Sequence, residues 1–145
     1  MAEPAELRVT DLLGGSKVLG RVSEISDLLR VVRVGLPYAS LEALTRNLGV
    51  EVSAVGAVVG IPDRTLARRK QERLLSPVES DRVYRLAYIT HLASAVLGGV
   101  QAARKWLGQP NRSLGGPAPM SLLDTDIGCR QVEEALLRLN YGLYA

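Results

Sequence analysis

Five cations, Arg64, Arg68, Arg69, Lys70 and Arg73, crowd residues 64–73, and only Asp63 and Glu72 lie beside them as carboxylates. The resulting excess of three positive charges equals the formal net charge of the whole chain, +3, so the rest of the sequence balances to zero. Guanidinium groups neutralise phosphates and donate in pairs to the acceptor edge of guanine. Gathered on one helix, such charge is the footprint of a nucleic-acid contact, although a run of Arg and Lys also suits a plain solvated face. The neighbouring residues have to decide between the two.

They favour the contact. Residues 53–59 form a short apolar helical segment in which Gly56 costs about 1 kcal/mol relative to alanine, tolerable where another helix packs against it. Gly60 then supplies a turn, Ile61 a buried hydrophobe, Pro62 a preset φ near the next helix start, and Leu66 an inward side chain. A small residue, a glycine turn and inward hydrophobes at these offsets are the marks of a helix-turn-helix. Arg64, Thr65, Arg68, Arg69 and Lys70 are therefore the expected DNA-binding residues. Some would donate to guanine and others only neutralise phosphate, since helix geometry cannot put all of them on one edge.

No other constellation carries chemistry. Asp124 and Asp126 flank a helix start, where the macrodipole favours anions and capping is the ordinary role. Cys129 lies in a helical pattern without an activating base, which makes it a core residue. His91 has no second histidine or nucleophile near it and reads as a partly exposed helix residue. Gly14, Gly15, Ser16 and Lys17 do not make a P-loop, which needs a Gly-Lys pair with another glycine five positions earlier. With no catalytic set, the chain is read as a non-enzyme that uses neither cofactor nor metal.

The totals agree with small helical domains. The chain has 145 residues, 47% of them hydrophobic, yet aromatics are only 4% and phenylalanine is absent. Such a core must be aliphatic, which suits helices packed through Leu, Val and Ala and predicts an all-α fold. One cysteine and one histidine exclude an internal disulfide framework and a closed zinc site. No signal peptide opens the chain and no run approaches the roughly 18 apolar residues of a membrane span, so a cytoplasmic protein without a membrane partner is expected.

Taken in order, residues 1–22 are expected to form a loosely docked arm with an apolar turn around Val9, Leu12 and Leu13. Ser23 should cap a helix carrying Ile25, Leu28, Leu29 and Val32, stopped by Gly35 and Pro37. Leu41, Leu44 and Leu48 share the face of a second helix that ends at Gly49, and Ser53 should cap the third. Ser76, Pro77 and Glu79 spell a capping box for a long helix reaching Gly98. A second unit follows, with Val100, Ala103, Trp106 and Leu107 on a helix, then an ordered Gly/Pro-rich loop. Thr125 should cap a final helix whose buried face is Ile127, Val132, Leu136 and Leu139. The predicted domains are residues 1–97, arm and helix-turn-helix, and residues 98–145.

Five motifs carry a family resemblance: GLP at residues 35–37, RTLARR at 64–69, LSPVESDRVYRLA at 75–87, WLGQPNRSLGGPAPMSLLDTDIG at 106–128, and YG at 141–142. Together they resemble the Xre/MbcA/ParS-type antitoxins over nearly the whole chain. One departure is the helix before the turn, AVGAVVG, which is small and uncharged. The resemblance implies an N-terminal helix-turn-helix domain followed by a small helical toxin-binding domain. It also implies a cognate RES-domain toxin that consumes NAD, blocked at its active site, and repression of the chain's own operon through operator DNA. A homodimer within a larger toxin–antitoxin complex is expected. The toxin contacts would come from Trp106, Asn111, Leu114, Leu122, Leu123, Tyr141, Leu143, Tyr144 and Ala145. The competing reading is a stand-alone dimeric regulator whose C-terminal unit only dimerises.

Overall fold

The computed structural model describes residues 3–142, and over them the chain is all-α as expected. Among the described residues no strand forms; a single bridge joins Pro37 and Leu74. The chain divides into two compact units, one ending at Tyr88 and the other beginning at Ile89. That division falls inside a helix, upstream of the boundary expected after Leu97.

The first unit contains α1 (Ala5–Arg8), α2 (Ser16–Leu19), α3 (Ile25–Val34), α4 (Tyr38–Leu48), α5 (Val52–Val59), α6 (Asp63–Glu72) and the start of α7 (Pro77–Leu97). Its core is aliphatic: Leu13, Leu36, Leu41, Leu44, Val55, Leu75, Val83 and Leu86 are fully buried. Each such side chain contributes about 1.5–3 kcal/mol of burial free energy. The α3–α4 and α6–α7 junctions are stitched together by backbone bonds, Tyr38 N–H to the Arg73 carbonyl (3.0 Å) and Leu75 N–H to the Leu36 carbonyl (2.8 Å).

Three expectations in this unit need correction. The N-terminal arm is not loosely docked: Leu7, Val9, Leu12 and Leu13 are all buried, and Asn47 of α4 donates from Nδ2 to the Leu12 carbonyl at 3.5 Å. Its glycines break the segment into short turns without removing the apolar side chains from the core. Ser23 is not the cap of α3; Glu24 is, in a capping box with Asp27, whose Oδ2 accepts the N–H groups of both Ser23 and Glu24 at 3.1 Å. Those two backbone bonds, Ser23 first, hold the Asp27 carboxyl below its ordinary range. Nor does Ser53 cap α5, which begins two residues earlier than that cap would set it, at Val52 after Glu51, and leaves Ser53 exposed within the helix. On α3, Leu28 is buried while Ile25 and Leu29 remain 46% and 45% exposed.

The second unit holds the rest of α7, α8 (Val100–Gly108), α9 (Asp126–Asn140) and two 3-10 turns, Arg112–Leu114 and Pro119–Leu122, in the loop between them. Ala103 and Leu107 of α8 are fully buried, as are Val132 and Leu136 of α9. Thr125 caps α9 as expected, its hydroxyl accepting the Gly128 N–H at 2.9 Å. Cys129 is buried, the core residue expected, with its thiol 3.6 Å from the Leu123 carbonyl. Of the expected buried face, Leu139 is only half-buried and Ile127 is not buried at all. At 74% exposure it points away from the core, because at 100° per residue it lies on the side of α9 opposite Leu136.

Candidate functional site

The basic segment becomes α6, and the turn before it has the close packing that a helix-turn-helix needs. A Cβ built on Gly56 would stand 2.8 Å from both the Ile61 carbonyl oxygen and the Leu66 Cδ1. Glycine is thus required where α5 meets the following turn and helix, as its place in the sequence implied. Ile61 and Leu66 are buried at 2% and 5%, and Gly60 turns the chain at φ 74°. Arg82 of α7 closes the arrangement by donating from its guanidinium to the Val59 carbonyl at 3.4 Å. A cation at that spot also suits the negative end of the α5 dipole.

With Leu66 facing inward, residues 64, 67, 68 and 71 share the opposite face of α6. Arg64, Ala67, Arg68 and Gln71 are all exposed there; Lys70 is exposed as well, but about 40° round the helix from Leu66 and off that face, while Thr65 is half-buried. Gln71 was not among the expected contacts, although its offset of three from Arg68 would have found it. Arg69 is placed differently. Its Nε donates to Glu79 Oε1 at 2.7 Å, and its two terminal nitrogens donate to Glu79 Oε2 at 3.1 Å and Glu72 Oε1 at 2.9 Å. The Glu79 and then the Glu72 hydrogen bonds raise the Arg69 pKa further above its already high value.

Glu79 also completes the expected capping box. Its Oε1 accepts the Ser76 N–H at 2.9 Å, and its own N–H donates to Ser76 Oγ at 3.2 Å. Burial works against its charge, but the Arg69 bond, followed by Ser76, prevails and holds the carboxyl below its usual range.

In the second unit a recess of about 470 Å³ opens between the α8–loop segment and α9. Trp106, Pro110, Asn111, Arg112 and Ser113 line one side and Ala135, Arg138 and Leu139 the other. Of the expected toxin contacts, Trp106 and Asn111 meet here. Asn111 also shapes the loop, its Oδ1 accepting from the Ser113 N–H (3.0 Å) and hydroxyl (2.6 Å). Leu114 and Leu122 are half-buried, Leu123 is 7% exposed and belongs to the core, and Tyr141 is 71% exposed at the end of α9. Leu143, Tyr144 and Ala145 lie outside the described residues.

The sequence pattern missed the outward face of α9. Residues 127, 130, 134, 137, 138 and 141 recur at helical spacing there, and Ile127, Leu137 and Tyr141 expose their apolar surfaces among the charges of Arg130, Glu134 and Arg138. Exposed aliphatic and aromatic groups ringed by charge are the composition of a protein-binding patch. Among the described residues no single helix is long and apolar enough to cross a membrane.

Known proteins agree with both halves of this arrangement. Residues 27–88 match the antitoxin Xre-like helix-turn-helix domain, and residues 92–142 match the antitoxin Xre/MbcA/ParS C-terminal toxin-binding domain. The antitoxin Xre of Pseudomonas putida is 44% identical over 86 residues, covering 57% of this chain and 54% of that protein. The antitoxin Xre of Yersinia enterocolitica is 27% identical over 120 residues, 81% of each chain. That of Photorhabdus laumondii is 25% identical over 115 residues, 78% of each. The chain thus spans about half the length of the Pseudomonas relative and about four fifths of the other two.

Proposed function

The chain belongs to the Xre antitoxins, with a helix-turn-helix domain followed by a toxin-binding domain, and from that premise we propose that it neutralises a RES-domain, NAD-consuming toxin and represses its own operon. The observation that carries the toxin half is the apolar face of α9 beside the Trp106 recess, in the segment that matches the toxin-binding domain. Neutralisation is steric: the patch formed by Ile127, Leu137 and Tyr141 docks on the toxin and closes the path of NAD to its active site. Leu143, Tyr144 and Ala145 add to the toxin contact, and the protein works in the cytoplasm as a homodimer.

Repression rests on α6. Arg64, Arg68 and Gln71 enter the major groove, while Lys70 and Thr65 contact the backbone. Replacing either arginine with alanine should weaken binding to the promoter duplex by about 1–3 kcal/mol if it forks onto a guanine.

The deciding experiment co-expresses the chain with a RES-domain protein from the same genome and follows growth, cellular NAD and co-purification. Restored growth with NAD preserved and a stable complex is the expected result. Continued NAD loss with the chain present in excess would reject the RES assignment.

A further inference from the structure

Arg69 lies in the middle of the basic run, yet its surroundings differ from those of its neighbours. Its side chain is 18% exposed and that of Glu79 12%. Three guanidinium nitrogens are committed to two carboxylates, and the bond to Glu79 is bidentate. Glu79 in turn is fixed by Ser76 at the first turn of α7. No carboxylate among the described residues forms such a pair with Arg64 or Arg68, and both are exposed.

Helix geometry adds a second argument. At 100° per residue, position 69 is 100° from 68 and 140° from 64, and only 60° from the buried Leu66. A guanidinium anchored at that azimuth stops α6 from rolling about its axis, and the roll is the coordinate that decides whether Arg64, Arg68 and Gln71 face a groove together. Hydrophobic contact through Leu66 alone is non-directional and restrains rotation poorly. A bidentate fork is directional, and a lysine cannot reproduce it.

We propose that Arg69 is a positioning residue: locked to Glu79, it sets the roll of the recognition helix and does not itself touch DNA. This rests on the DNA-binding reading above, and it removes one cation from the phosphate-contacting set that the sequence implies. The two roles leave different signatures in salt. A phosphate contact contributes about 0.9 to the slope of log K against log salt concentration, whereas a positioning residue changes affinity without changing the slope.

The test uses the full-length chain and a labelled duplex from the region upstream of its own gene, titrated at several salt concentrations. Arg64→Ala or Arg68→Ala should lower affinity, with the slope reduced by about 0.9 for whichever of them contacts phosphate. Arg69→Ala should lower affinity about tenfold, equivalent to about 1.4 kcal/mol, at unchanged slope. Arg69→Lys should fail to restore it, and the exchange Arg69→Glu with Glu79→Arg should recover part of what Arg69→Glu loses. A slope reduced by about one unit in Arg69→Ala would overturn the proposal, as would an exchanged pair no better than Arg69→Glu alone. If the wild-type chain binds no duplex, the DNA reading fails on its own. The roll-setting pair is then judged by unfolding: additive effects of Arg69→Ala and Glu79→Ala would reject it, and strong non-additivity would retain it.

Discussion

The backbone N–H of Leu36 donates to the hydroxyl of Ser80 at 2.7 Å across 44 positions of sequence, and both residues are fully buried. One hydroxyl thereby serves the α3–α4 junction from the first turns of α7. Replacing it leaves an amide in the core with no partner. Ser80→Ala should destabilise the first unit by about 1–3 kcal/mol, the cost of an orphaned buried donor. Urea unfolding checks this, and an unchanged midpoint would show that water or a local shift satisfies the Leu36 amide.

Glycine matters at position 128 for a reason that position 108 lacks. A Cβ at Gly128 would overlap the Leu122 carbonyl oxygen and come within 3.0 Å of Thr125 Oγ1, whereas nothing lies within 4 Å of one at Gly108. Gly128→Ala should therefore cost about 1–3 kcal/mol by forcing the loop off the start of α9. Gly108→Ala, in the last residue of α8, should be neutral or stabilising by up to about 1 kcal/mol. Thermal unfolding of the two variants side by side separates close packing from a general penalty on altering glycine.

The Arg69–Glu79 pair has an acid signature. The Glu79 carboxyl is held below its ordinary range in the fold, so the folded state binds its proton less readily than the unfolded one. The resulting stability is fully present above the unfolded value of about 4.3 and is lost as pH falls through the lower folded value. Glu79→Gln should be less stable than wild type near neutrality, and the gap should close as the pH drops through that window. A gap that stays constant down to about pH 2 would mean that the carboxylate charge contributes nothing.

Ile127 separates folding from binding. Because it is 74% exposed, Ile127→Asp should change stability by no more than about 0.5 kcal/mol, as is usual at the surface. A carboxylate in the first turn of α9 even suits the helix dipole. The same substitution should prevent co-purification of the toxin. Retained complex formation would move the docking surface away from the outer face of α9.

What was legible in the sequence was whatever depends on local chemistry. The Ser76–Glu79 box, the Thr125 cap, the glycine required at position 56 and the inward Leu66 all follow from spacing and turn preference, and each is found where expected. Ile127 was misassigned by its apolar type and not by helical spacing, which already sets it on the side of α9 opposite Leu136 and so on the outer face. The docked N-terminal arm was hidden because its glycines are conspicuous while the α4 surface it covers is distant in sequence. The pairing of Arg69 was hidden for a similar reason: its partner Glu79 lies on the next helix, and a string of cations gives no sign that one of them is already paired.

The chain contains a single tryptophan, Trp106, half-buried on the wall of the recess in the second unit. Its indole therefore reports from one known place without competition from any other. A partner that fills the recess must change the polarity around that ring, so intrinsic emission of the unlabelled protein becomes an optical gauge of occupancy. The same side chain expected to hold the toxin makes its arrival measurable in real time.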